Sequence, residues 1–324
     1  MFTRILVPLD GSQRAEQALT VAARVAQASH GSIVLLQAVG IPAEYGTYTY
    51  GSYVAQTPIL TQEVLDTEQA QAQAYLSNIQ QSESLAGIQT ETKVVVGTAA
   101  ATIEDLAEEE KVDLIVMSSH GDTGFKRWVL GSVAQKVARH SDIPVLVLRQ
   151  DGTTPDTPFP DRLRPLRSIV AMVALDGTTF AEAAIEPAAG LVAALSAPAQ
   201  GTLLLTRVIH APAAATNSDA ESKALEEAQT YLNGVVEAHM KLAEQYKVAL
   251  LTSVVSGEDV AEALIRAAEQ GEEADGKRLS GGSDLIAITT HGRSGLQRMT
   301  MGSVTESALG ATKLPLLIVH NVAS

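Results

Sequence analysis

The stretch SSHGDTGFKRWVLGSV, Ser118–Val133, decides how this chain is read, because TTHGRSGLQRMTMGSV, Thr289–Val304, repeats it near the other end. Each copy places a glycine after a histidine. Each then runs nine residues to a Gly-Ser-Val that opens a helical pattern. The repeat extends outward in the same order. RILVPLDGS (4–12) is echoed by SIVAMVALDGT (168–178), and GSIVLLQAV (31–39) by GTLLLTRVI (201–209). VDLIVMSSHG pairs with SDLIAITTHG, and DIPVLVL with KLPLLIV. His120 to His291 and Pro144 to Pro315 are both separated by 171 positions, and Asp10 to Asp176 by 166. A fixed order at near-constant offset is the mark of one domain duplicated. The polar, Gly-rich run EQGEEADGKRLSGGSD is an insertion in the second copy and reads as a surface loop.

Within each copy, short apolar runs alternate with segments of helical periodicity. RILVPLD, SIVLLQAV, QTETKVVVG, DLIVMSS and PVLVL read as five strands, with helices between them. Strands joined by helices imply right-handed crossovers and a parallel sheet. The fold class is therefore α/β, with two tandem open domains at 1–150 and 167–324. RQDGTTPDTPFPDRLRPLR is Pro-rich and without periodicity, so residues 151–166 read as a linker. The polar stretch PAEYGTYTYGSYVAQTP reads as a loop, and ILTQEVLDTEQAQAQAYLSNIQQSESLAG as one long helix.

Composition bounds the chemistry. Hydrophobic residues make up 46% of the 324, enough for a core in each half. Aromatics are only 4%, and the net charge is −14 with no dense basic run, which argues against a nucleic-acid partner. The absence of cysteine removes disulfides, thiolate metal sites and thiol nucleophiles. The N-terminal apolar run is too short for a signal peptide. AAIEPAAGLVAALSAPA, the nearest approach to a membrane span, is broken by Glu186, Pro187 and Pro198. These features predict a cytoplasmic protein with no membrane partner.

Ligands of open parallel sheets bind beyond the carboxyl ends of the strands. There strand one ends at Asp10 or Asp176, and strand four at SSHG or TTHG. A glycine lets backbone N–H groups approach a ligand. A helix N-terminus adds unpaired N–H groups and a positive dipole end, which together suit phosphate. The opposing aspartate suits a ribose hydroxyl or Mg²⁺. The blander reading of each Gly-Ser is a turn followed by a serine N-cap. His120 and His291 read as loop packing, and Tyr45, Tyr48, Tyr50 and Tyr53 as a lid over apolar surface or a dimer contact. EDLAEEEKVD reads as a solvated helix face.

These residues resemble the universal stress protein family, over nearly the whole chain and in both halves. The nucleotide-binding branch carries Gly, two residues, Gly, nine residues, Gly, then Ser or Thr. Gly121, Gly131 and Ser132 match the last three elements in the first half, and Gly292, Gly302 and Ser303 in the second. The first glycine is replaced by Ser118 and Thr289. A Cβ there narrows the approach to a ribose, while a hydroxyl can donate to it.

The resemblance implies a Rossmann-like sheet of strand order 3-2-1-4-5, ATP as ligand with Mg²⁺ as an optional companion, and fifth strands that meet between domains. It implies a backbone contact to adenine at the end of strand two, at Ala38 and Arg207. The candidate nucleotide residues are thus Pro8, Leu9, Asp10, Ala38, Met117, Ser118, His120, Gly121, Gly131, Ser132 and Val133 in the first half. In the second they are Ala174, Leu175, Asp176, Arg207, Thr289, His291, Gly292, Arg293, Gly302, Ser303 and Val304. Lys126, Arg127, Arg293 and Arg298 are candidates for phosphate contacts. Asp122 stands where Arg293 stands in the other loop, which predicts the second half as the stronger ATP site. The expected partners are an adenine nucleotide, the other half of the same chain, and a second chain if a homodimer forms. No residue placed to activate water is identifiable, so at most weak ATP hydrolysis is expected. A scaffold of the same fold that binds no nucleotide, and a slow ATP hydrolase, remain the alternatives.

Overall fold

Arg4–Pro8 (β1) is buried on both faces: Ile5, Leu6 and Val7 are closed to solvent. A strand covered on both sides belongs in a parallel sheet with helices on each face. The computed structural model describes residues 1–40, 49–50, 53–54, 58–119, 130–149, 168–210, 218–271, 273–274, 277–278, 282–290 and 301–320.

The first half continues with α1 (Gln13–Ser29), β2 (Ser32–Val39), β3 (Thr49–Tyr50), β4 (Tyr53–Val54), α2 (Pro58–Gln80), β5 (Gln89–Val96), α3 (Ala99–Glu109), β6 (Leu114–Ser118), α4 (Ser132–His140) and β7 (Val145–Leu148). The second half holds β8 (Val170–Leu175), α5 (Thr179–Glu182), α6 (Ile185–Ser196), β9 (Gly201–His210), α7 (Ser218–Tyr246), β10 (Val248–Gly257), α8 (Val260–Gln270), β11 (Glu273–Ala274), β12 (Lys277–Arg278), β13 (Leu285–Thr289), α9 (Ser303–Ala311) and β14 (Leu316–Val319).

Ten of these strands form one sheet, in the order β10-β9-β8-β13-β14-β7-β6-β1-β2-β5. Within each half the order is third, second, first, fourth, fifth. Neighbours run parallel everywhere except at the seam, where β14 and β7 pair antiparallel with Leu316 opposite Val147, Leu317 opposite Leu146 and Ile318 opposite Val145. Alternation along the two strands sends Leu146 and Leu317 into the apolar cluster on one face of the sheet. Val145, Val147, Leu316 and Ile318 enter the cluster on the other face. Both clusters contain residues from both halves.

Three local features differ from the sequence expectation. Parts of the two expected loops pair as short hairpins, β3 with β4 and β11 with β12. The long helix stops at Gln80, and a short 3-10 turn over Glu83–Leu85 precedes Gly87, whose φ of +78° suits a residue without a Cβ. The expected linker lies outside the described residues. Among those residues, no helix is long and apolar enough to cross a membrane.

Candidate functional site

The two aspartates that end the first strand of each half are held alike. Asp10 Oδ1 accepts from the backbone N–H of Ser12 at 3.0 Å and from its hydroxyl at 2.6 Å. Ser12 Oγ in turn accepts from Ala15 N at 3.2 Å and so caps α1. In the second half, Asp176 Oδ1 accepts from Thr178 N at 2.9 Å and from its hydroxyl at 2.6 Å, and Thr178 Oγ1 accepts from Ala181 N at 3.3 Å. The turn needs φ of +86° at Gly11 and +91° at Gly177, a region that L side chains rarely adopt. The chain thus spends a glycine and a hydroxyl in each half to fix the direction of one carboxylate at the carboxyl edge of the sheet.

Across from each aspartate, a helix begins at a glycine. Gly131 and Gly302 are the N-caps of α4 and α9, so Ser132 and Ser303 are the first helical residues rather than serine caps. The backbone N–H of Gly131 donates to Ser119 O at 2.8 Å, and that of Gly302 to Thr290 O at 2.6 Å, which ties each helix start to the end of strand four. Neither cap supplies a side-chain acceptor to the first turn. The first turn of a helix leaves N–H groups without intrahelical partners, and these with the dipole suit an anion. A Cβ on Gly302 would stand 3.0 Å from Thr290 O, so glycine is what allows this close approach.

A cavity of about 340 Å³ joins these features in the first half. It is lined by Pro8, Leu9, Asp10, Ala38, Met117, Ser118, Gly131, Ser132 and Val133, every candidate of that half that falls among the described residues. A cavity of about 320 Å³ in the second half gathers Ala174, Leu175, Asp176, Thr289, Gly302, Ser303 and Val304.

Arg207 is the exception. Leu36 pairs with Pro8 and Thr206 with Ala174, so the counterpart of Ala38 is Val208, one residue further along the strand. Val208 lines the cavity. The Arg207 side chain leaves the opposite face of β9 and lies over the Tyr231 ring, 5.1 Å from its centroid. Tyr231 donates to Glu182 Oε1 at 2.9 Å, as Tyr75 donates to Glu16 Oε1 at 3.0 Å in the first half.

Sequence reasoning missed the wall supplied after strand three. Ala99 and Ile103 of α3 line the first cavity, and Val260 and Leu264 of α8 the second. The signal was present: Gly97 and Gly257 both follow strand three and precede a helix. A Cβ on Gly97 would meet Thr102 Oγ1 at 2.5 Å, and one on Gly257 would meet the Ala263 Cβ at 2.5 Å. Ala15 and Ala181 complete the lining from the first helices.

His120, Gly121, Asp122, Lys126, Arg127, His291, Gly292, Arg293, Arg298, Tyr45 and Tyr48 lie outside the described residues. Tyr50 and Tyr53 pair across the β3–β4 hairpin.

The profile described as "Universal stress protein family" matches residues 1–149 and 170–320. Universal stress protein YxiE of Bacillus subtilis is 32% identical over 149 residues, which are 46% of this chain and 100% of that protein. Universal stress protein MJ0531 of Methanocaldococcus jannaschii is 29% identical over 150 residues, 46% of this chain and 84% of its own length. Over both halves at once, a universal stress protein from Archaeoglobus fulgidus has the same fold, with a TM-score of 0.62 at 17% identity and 98% coverage of both chains.

Proposed function

We propose that this chain, which belongs to the universal stress protein family through both of its halves, is an ATP-binding regulatory protein that changes its partner contacts with nucleotide. The observation that carries this reading is the duplicated cavity, with a fixed carboxylate on one side and an uncapped helix start on the other. The helix-start N–H groups would receive phosphate oxygens. Asp10 and Asp176 would accept from ribose hydroxyls or hold Mg²⁺. The apolar walls, Ala38, Ile103 and Met117 in the first half, would take the base. In this reading the two halves work as an intramolecular pair, since β7 and β14 continue one sheet.

In this reading ATP binding is accompanied by at most weak hydrolysis. Fast phosphoryl transfer needs a placed base and a transition-state cation. Among the described lining residues, the charged side chain in each cavity is its aspartate.

The test combines native mass spectrometry of freshly purified protein with calorimetry on a Gly131→Val, Gly302→Val variant. Adenine nucleotide should co-purify. A hydrogen bond to a charged group contributes about 1.5–3 kcal/mol, and each site loses its own helix-start contact, so ATP should weaken about 10- to 150-fold at each site. Unchanged affinity in a folded variant would remove the phosphate from the helix starts.

A further inference from the structure

The two cavities descend from one, and their walls and floors have diverged in opposite directions. The first half lines its outer walls with small residues: Ala38 at the end of strand two, Ala99 at the start of α3, Ser118 at the end of strand four and Ala134 in the first turn of α4. The counterparts in the second half are Val208, Val260, Thr289 and Thr305, each larger. Thr305 is also fixed in place: its buried hydroxyl donates to Thr289 O at 2.7 Å. The floor has changed the other way. Pro8 and Leu36 of the first half correspond to Ala174 and Thr206. Leu36 precedes Ala38 by two residues on one face of the strand, and a strand rises about 3.3 Å per residue, so the floor lies about 6.6 Å below the wall. Bulk added at the mouth and removed below explains why the volumes stay close, about 340 and 320 Å³, while the shapes differ.

We propose that the two sites are unequal: the first half carries the purine-nucleotide site, and Val208, Val260 and Thr289 narrow the second against a purine base. This rests on the nucleotide reading given above. It reverses the order expected from the charges of Asp122 and Arg293, which lie outside the described residues. A purine is a rigid slab and cannot fold around a branched side chain, so the slot between strand two and the helix after strand three must accept it whole. Overfilling a fitted apolar site weakens it about tenfold or more. The methyl that Thr289 adds to Ser118 faces the same space from strand four.

Calorimetric titration of the full chain with ATP and Mg²⁺ tests the proposal through stoichiometry. The wild type should show one strong site per chain. Ala38→Val with Ala99→Val should weaken that site at least ~10-fold. Val208→Ala with Val260→Ala should raise the count towards two strong sites. The second pair only removes bulk, so it keeps the proposal testable if the first pair perturbs the fold. Two equal sites in the wild type would overturn the inequality and leave the nucleotide reading standing. A single site that is lost on changing Val208 and Val260 but not Ala38 and Ala99 would overturn its assignment to the first half. No ATP bound by any of the three proteins, all folded, would overturn the nucleotide reading itself.

Discussion

The seam between the halves makes a prediction about cooperativity. Leu317 is closed to solvent, faces Leu146 across the β14–β7 ladder, and sits in a cluster that also holds Val21 of α1 and Leu191 of α6. Leu317→Ala leaves a cavity among residues of both halves, and such truncations cost about 3 kcal/mol. If the whole chain unfolds as one unit, its unfolding entropy is about 2.1 cal/mol/K for each of 324 residues, or about 0.7 kcal/mol/K. The midpoint of a single transition should then fall by about 4 °C. Were the halves independent, the same loss would fall on about half the entropy. One of two transitions would drop by about 9 °C, and the other would stay in place. Scanning calorimetry of wild type and variant separates the cases, with the ratio of calorimetric to van't Hoff enthalpy as the check on two-state behaviour. Two transitions, with the first-half one unmoved, would refute the argument that shared apolar clusters weld the halves.

Further outcomes follow from charge and phenol placement. Burial and then a neighbouring glutamate raise the ionisation of Tyr75, and burial and then a hydrogen bond to Glu182 raise that of Tyr231, both above the ordinary phenol value of 10.0. A raised folded-state value gives stability that is whole below 10.0 and lost as pH rises towards the folded value. Chemical denaturation at rising pH should therefore show stability falling above about pH 10, with a shallower fall in Tyr75→Phe, Tyr231→Phe. Glu110 is held below its ordinary 4.5 by hydrogen bonds from Lys93 and then Arg4. Its contribution should be present above that value and lost as pH drops through the depressed one, so Glu110→Gln should flatten the acid limb of the same measurement. Gly11→Ala places an L side chain at a φ of +86° and should cost about 1–3 kcal/mol, read from the shift in urea midpoint.

The sequence made the sheet legible because its central parallel strands read as largely apolar runs, and duplication gave each strand a second witness. The cavity was legible for the same reason: Asp10 and Gly131 stand out only because Asp176 and Gly302 repeat them. Pairing Arg207 with Ala38 slips the repeat by one residue. An assignment at the end of strand two is correct only to the parity of one residue, because neighbouring side chains point to opposite faces. Gln37 and Arg207 share one face, Ala38 and Val208 the other, and the aligned repeats GSIVLLQAV and GTLLLTRVI pair them as the ladder register does. The wall at Ala99 and Val260 escaped for a different reason. Its helices start at different distances from Gly97 and Gly257, Thr98 against Asp259 as caps, so the repeat slips by one residue there.

Contacts across the seam were hidden from any linear reading, yet they obey the same repeat. The residue after the last strand is Arg149 in the first half and His320 in the second. Arg149 donates to the carbonyl of Leu309, and His320 Nε2 meets the carbonyl of Ala138 at 3.1 Å. Both carbonyls belong to the last turn of a helix, where C=O groups lack intrahelical partners and positive charge is favoured. Each half therefore caps the helix whose other end opens on the neighbour's cavity. Burial pushes the Arg149 guanidinium down to about 10. A cation is retained there against that cost because removing it would leave a buried carbonyl without a donor. An open sheet that ends in an apolar strand has an edge to protect. In this chain, duplication supplies the protector, and the two crossing caps fix the register in which it docks.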